Sequence, residues 1–131
     1  MEEARINTEK RSELLDITQN INNLIPKDMN SGICVIYVPH TTAGIMINEG
    51  ADPSVQKDIL NQLDQLIPWD QPFFRHLEGN SAAHIKASLV GNSVTILVEN
   101  SHLQLGTWQK IFFAEFDGPR RRRVYITFIH Q

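Results

Sequence analysis

Cysteine is almost absent from this sequence. The single thiol, Cys34, excludes an internal disulfide, and its place inside the apolar run Ile33 to Val38 marks it as a small core residue rather than a reactive group. Long hydrophobic runs are absent too. Nothing approaches the ~20 apolar residues a membrane-spanning helix needs, and the opening stretch Met1 to Glu13 has no apolar signal-peptide centre. No membrane partner is expected, and the location expected is cytoplasmic. There is no Gly/Ser-rich linker, internal repeat or low-complexity tract, so one domain over residues 1–131 is expected, with 41% hydrophobic residues enough for one core. A net charge of −3 supplies no global field that would draw a polyanion, so nucleic acid is not an expected partner. The one dense charge run, Arg120 to Arg123, leads into a strand-like segment, where alternation sends neighbouring side chains to opposite faces. A one-sided basic stripe is not implied.

What is present reads as a mixture of strands and helices. After a short N-terminal strand, Asp16 with Gln19 three residues on can open a helix carrying Ile17, Ile21, Leu24 and Ile25 at helical spacing, closed by Pro26 and Lys27. Ile33 to Val38 suits a strand covered on both faces, and Ala43 to Glu49 follows as the next strand. Asp52 and Pro53 form an N-cap and first-turn pair for a long amphipathic helix with Val55, Ile59, Leu60, Leu63, Leu66 and Ile67 on its buried stripe. Pro68 to Gly79 reads as a loop with apolar anchors, and Asn80 or Ser81 as the cap of a helix running to Val90, with Gly91 just beyond it. Val94 to Glu99, Trp108 to Phe116 and Val124 to Ile129 are rich in β-branched and aromatic residues and read as strands. With no regular βαβ alternation, the class is α+β, with mixed or antiparallel sheets and about three helices.

Three polar clusters interrupt this apolar pattern. His40 ends the first long strand on the face of Ile36 and Val38, while Glu49 shares a face with Ala43, Ile45 and Ile47. A buried carboxylate needs a partner, so His40 and Glu49 satisfy each other or nearby backbone, or belong to a site; Thr41 and Thr42 are turn and strand residues or substrate ligands. The second cluster, His76 to His84, places two imidazoles, Glu78 and Asn80 within nine positions. Three histidines around an ion with one open position make a familiar zinc arrangement, although the spacing matches no short metal motif; the alternative is a helix cap with two exposed histidines. The third cluster holds Gln109 and Glu115 on one strand face, followed by the Asp117-Gly-Pro turn and Arg120, a partner for Glu115 or Asp117. His102 and His130 read as surface residues near strand ends.

These clusters carry a resemblance. His40-Thr-Thr-Ala with Glu49-Gly-Ala-Asp52-Pro, Ala83-His84-Ile-Lys followed by Leu-Val-Gly, and Leu105-Gly-Thr-Trp-Gln109 with Glu115 and Asp-Gly-Pro-Arg120 resemble the YjbQ-like family, also called the secondary thiamine-phosphate synthase family, along nearly the whole chain. The resemblance implies a compact α+β fold, a homotrimer, and a transferase that joins hydroxymethylpyrimidine diphosphate to thiazole phosphate with release of diphosphate. His102 departs from it, standing where many relatives have Arg.

The functional expectation combines both lines. His40, His76 and His84 would hold a divalent ion, zinc first and magnesium or manganese as alternatives, acting as a Lewis acid on a phosphorylated small-molecule substrate. Glu49, His40 and His84 would be the catalytic groups, with Glu49 as base or as orienter of a histidine. Thr41, Thr42, Asn80, Gln109, Glu115 and Arg120 would bind substrate, Arg120 by a bidentate grip on phosphate. The rival expectations are a non-catalytic metal or small-ligand binding module and a metal-assisted hydrolase of a phosphorylated small molecule.

Overall fold

The computed structural model describes residues 1–131. Strand β1 (Glu2–Asn7) pairs antiparallel with the last strand β8 (Arg121–His130), and β8 pairs in turn with β3 (Ser31–Tyr37), β3 with β5 (Ser93–Glu99), and β5 with the two-residue β6 (His102–Leu103). The second sheet has three strands in the order β2 (Glu13–Asp16), β7 (Gln109–Glu115), β4 (Ala43–Glu49), again antiparallel. The inward faces of the two sheets form the main core, where Cys34, Ile36, Ile45, Ile111, Phe113, Val124 and Ile126 are almost wholly buried. Helices α2 (Pro53–Leu66) and α3 (Ser81–Val90) lie over the other face of the three-stranded sheet, where Ala83, Ala87, Ala114 and Phe116 form a smaller core. Strand β7 is therefore covered on both sides, and residues 111 to 116 are all buried. Ile111, Phe112 and Phe113 each contribute roughly 1.5–3 kcal/mol by leaving water.

The expected strands and the two longer helices are present, as are the antiparallel sheets and three helices of an α+β domain. Two expectations of burial need correction: β3 is covered on one face only, with Cys34 and Ile36 buried but Val35 half-buried and Tyr37 exposed, and Leu66 of α2 is exposed rather than part of a buried stripe. Three expectations about the elements need correction as well. The first helix, α1 (Thr18–Asn22), is five residues long and starts one residue late; Asp16 belongs to β2 and its carboxylate accepts from the N–H of Thr18, while Leu24 and Ile25 lie beyond the helix end. Strand β2, edge-paired to β7, lies outside the expected elements, because Glu13-Leu-Leu-Asp16 carries no β-branched residue and reads more readily as helix. The third concerns Asn80, which stands at the start of α3 without capping it by its side chain.

Two contacts fix α3 relative to β4. The N–H of Ile45 donates to the carbonyl of Gly91 at 3.0 Å, and Gly44 has no room for a side chain because a β-carbon there would lie 2.5 Å from that same carbonyl oxygen. From the far side, Lys86, only 2% exposed, reaches through to the Asp64 carboxylate and ties α3 to α2. The start of β4 and the outer half of α3 are thereby held as the two walls of a trough.

Candidate functional site

At the end of β7 the carboxylate of Glu115 is fully buried, and the fold supplies its partners. Arg122 donates from Nε to Oε1 at 2.8 Å and from Nη2 to Oε2 at 2.5 Å, Thr8 Oγ1 donates to Oε1 at 2.8 Å, and the N–H groups of Phe116 and Asp117 donate to Oε2 at 3.1 and 3.0 Å. Burial pushes the Glu115 carboxyl up, but the hydrogen bonds from Arg122, Asp117 and Thr8 outweigh it and hold the group below the usual carboxylate value. Arg122 also donates to Thr42 Oγ1 at 2.8 Å, so Thr42 is a buried part of this network rather than a residue open to ligand. Glu115 is likewise a support beneath the surface.

His40 sits above that network. The backbone N–H of Arg123 donates to its Nε2 at 3.0 Å, which makes Nε2 an acceptor, puts the ring proton on Nδ1 and leaves Nδ1 without a protein partner. Burial, and then the guanidinium of Arg122, lower the His40 pKa, so the ring is neutral at physiological pH. The imidazole forms part of the walls of two adjoining cavities. One, about 480 Å³, lies between the start of β4 and α3 and is lined by His40, Thr41, His84, Ser88 and Asn92 among others. The other, about 580 Å³, lies over β1 and β8 and is lined by Arg5, Asn7, Arg121 and Arg123 with Glu3, Arg122 and His40.

The second cavity corrects the reading of the arginine run. Alternation does divide it, with Arg122 buried and Arg121 and Arg123 exposed, but β1 pairs so that Arg5 lies directly opposite Arg123 and Asn7 opposite Arg121. A one-sided basic cluster is built across two strands far apart in sequence. Like charges opposed across a ladder are unfavourable, and the one acid near them is Glu3, 4.0 Å from Arg123.

The remaining candidate residues divide. His84 faces the first cavity and also lies against His76, ring centroids 5.4 Å apart and nearly perpendicular, with Glu78 3.9 Å from His76. Asn80 is buried; its Nδ2 donates to Asp117 Oδ2 at 2.8 Å and its Oδ1 has no partner. Arg120 pairs with Asp117 rather than Glu115, donating to its carboxylate at 2.9 Å and its carbonyl at 2.8 Å, so its fork is already occupied. Glu49 does not meet His40. It stands at the far end of β4, half-buried, accepting from the N–H of Asp52, with Gln109 as its cross-strand neighbour and Gln109 Oε1 turned onto the N–H of Gly106. Within one chain no three His, Cys, Asp or Glu side chains gather where they could hold a metal ion. His40 in particular has spent its Nε2 lone pair on Arg123. The site residues that the sequence does not single out are Arg5, Arg121 and Arg123 about the second cavity, Ser88 and Asn92 in the first, and Arg122 and Thr8 beneath them; the β1–β8 register, which no local pattern encodes, sets Arg5 and Asn7 opposite the arginines.

The YjbQ family model, described as UPF0047 protein YjbQ-like, matches residues 2–131. A UPF0047 protein of Methanocaldococcus jannaschii is 60% identical over 128 residues, covering 95% of this chain and 91% of that protein, and the UPF0047 protein YugU of Bacillus subtilis is 53% identical over 123 residues, covering 93% of each. Among solved structures, an uncharacterized conserved protein of the YjbQ/UPF0047 family from Clostridium acetobutylicum superposes with a TM-score of 0.95 at 47% identity, covering 98% of this chain and all of that one. A conserved hypothetical protein from Thermus thermophilus superposes with a TM-score of 0.93 at 40% identity, with 98% and 100% covered. These findings correct the functional expectation. None of these relatives is named as a thiamine-phosphate synthase; the names they carry, a UPF0047 family designation or a conserved hypothetical protein, assign no activity, and the expected transferase does not stand. By sequence and by fold alike, this chain belongs to the YjbQ-like UPF0047 family.

Proposed function

We propose that this protein binds a phosphorylated small molecule across His40, with the phosphate in the arginine-lined cavity and the polar body between β4 and α3. The observation that carries the reading is the state of His40: a neutral imidazole, held by the N–H of Arg123 with Nδ1–H unengaged, in the wall shared by both cavities. A phosphate dianion between Arg5, Arg121 and Arg123 relieves the repulsion of the opposed Arg5 and Arg123, and each charge-assisted hydrogen bond is worth about 1.5–3 kcal/mol. On the other side, Thr41, His84, Ser88 and Asn92 offer uncharged donors and acceptors suited to hydroxyl or amide groups.

The side chains of one chain do not fit the divalent ion expected from the histidines, since His40 is engaged and His76 and His84 are the one adjacent pair. The homotrimer implied by the resemblance is part of the proposal. It is supported by large apolar side chains left exposed on the single chain, among them Phe73, Leu77, Leu89, Leu97 and Trp108.

Calorimetric titration with inorganic phosphate, then with phosphate monoesters of small alcohols and sugars, tests the reading. Saturable binding is expected, weakened about tenfold for each of Arg5→Ala and Arg121→Ala, a loss of about 1.4 kcal/mol apiece. Equal uptake by wild type and the Arg5→Ala/Arg121→Ala double variant would overturn it.

A further inference from the structure

Two groups of polar residues that lie close in sequence are far apart in the fold. His40, Thr41 and Glu115 stand at one end of the β4–β7 pair, and Glu49, Asp52, Trp108 and Gln109 stand at the other, in the register Ala43 opposite Glu115 and Glu49 opposite Gln109. Six residue steps separate these ends, about 20 Å at about 3.4 Å each, so no side chain of a single chain serves both.

Each end is incomplete in a complementary way. Trp108 is 63% exposed, a large aromatic side chain left in water beside exposed Gln109 and half-buried Glu49. Aromatic anchors of this kind are enriched at the centres of protein interfaces. The charges about it are those of Glu49 and Asp52, with Lys110, whose stem lies against Gly50, as the adjacent cation. The cavity at the opposite end is open, holds two imidazoles, has no carboxylate in its lining, and adjoins the basic rim of Arg121 and Arg123. An acidic, aromatic end and a basic, hollow end on one molecule meet head to tail, and a heterologous contact of that sort closes into a ring when its rotation permits.

We propose that the cavity between His40 and His84 is completed by a second copy of this chain, whose Trp108 covers its mouth and whose Glu49 brings it the carboxylate it lacks. The inference rests on reading that cavity as the ligand site. It gives Glu49 and Gln109 a place beside the histidines that the single chain denies them, and it makes the ligand site a property of the assembly.

Cross-linking tests the contact. Ser88→Cys places a thiol in the cavity wall and Thr107→Cys places one beside an intact Trp108, while the native Cys34 is fully buried, its thiol pushed up to about 12 by desolvation, and does not compete. With a short bismaleimide, neither variant alone should form a covalent dimer, whereas the two chains co-expressed should, and the chain carrying both substitutions should give a ladder that stops at the closed ring. A dimer from either variant alone, no product from the co-expressed pair, or a monomer mass by light scattering would overturn the proposal. Phosphate titration of wild type keeps the two readings apart. Cross-linking without phosphate uptake retains the shared contact and removes the phosphate reading, and phosphate uptake by a chain that is monomeric and does not cross-link does the reverse.

Discussion

Replacing Arg122 by Met removes the guanidinium and leaves Glu115 in place. Arg122 is 7% exposed and Glu115 is 0% exposed, and after the substitution the carboxylate keeps only Thr8 and the N–H groups of Phe116 and Asp117. Breaking a buried ion pair in this one-sided way costs about 3–5 kcal/mol, against a total stability of about 5–15 kcal/mol for a domain, so Arg122→Met should fold only marginally at neutral pH. Removing both charges should be far milder: Arg122→Met/Glu115→Leu is expected within about 1 kcal/mol of wild type, because no ion is left unpaired. The pH dependence has a definite sign. In wild type the folded Glu115 lies below its unfolded value, so its contribution is present above about pH 4.3 and is lost as pH falls through the lower folded value. Without Arg122 burial dominates and the folded value rises above the unfolded one, so the penalty is largest at neutral pH and is relieved on acidification. Urea unfolding at about pH 8 and about pH 5 should therefore show a gap between wild type and Arg122→Met that narrows in acid. A gap under about 1 kcal/mol at neutral pH, or one that widens in acid, would mean that Arg122 is not what keeps the buried Glu115 charged.

Gly44→Ala should lower stability by about 1–3 kcal/mol, because the new methyl meets the carbonyl of Gly91 and forces α3 away from β4; urea unfolding measures it, and an unchanged midpoint would mean the two backbones separate freely. Asp52 caps α2 through Ser54, whose N–H and Oγ both donate to its carboxylate at 2.9 and 2.8 Å and hold it below the usual aspartate value. Asp52→Ala should lower the melting temperature modestly and Asp52→Asn less. The charge-dependent part of the cap is present above about pH 3.9 and fades as pH falls through the lower folded value, so melts of wild type and Asp52→Asn should converge in acid.

The architecture is legible where local pattern decides it. The β-branched run Ile33 to Val38, the Asp52-Pro53 start of α2 and Gly91 after α3 each carry their structural reason within a few residues. Glu13-Leu-Leu-Asp16 is not legible, because its strand state comes from pairing with β7. The site shows the same division. His40 stands out because a polar ring follows directly on an apolar run, three residues past the end of β3, and His84 because it follows a helix start. The identity of the Glu115 partner depends on side-chain reach across the fold, so Arg120, nearer in sequence, reads as a more natural partner than Arg122 and is not the one that binds. Glu49 and His40 look like partners because nine residues is a short distance in sequence, whereas an extended strand makes it a long one in space. The basic cavity is invisible to a count of net charge, since it is a register effect joining Arg5 to Arg121 and Arg123.

Nitrogen and proton NMR of the histidine side chains during a phosphate titration would read out whether a neutral His40 stands between a phosphate cavity and a polar cavity. His40 should report the tautomer protonated on Nδ1 and titrate below the ordinary value of about 6.5. On addition of inorganic phosphate its signals should shift to saturation while those of His102 stay still, and the Arg5→Ala/Arg121→Ala variant should lose the response. A His40 that carries its proton on Nε2, or one whose signals do not move at saturating phosphate, would contradict it.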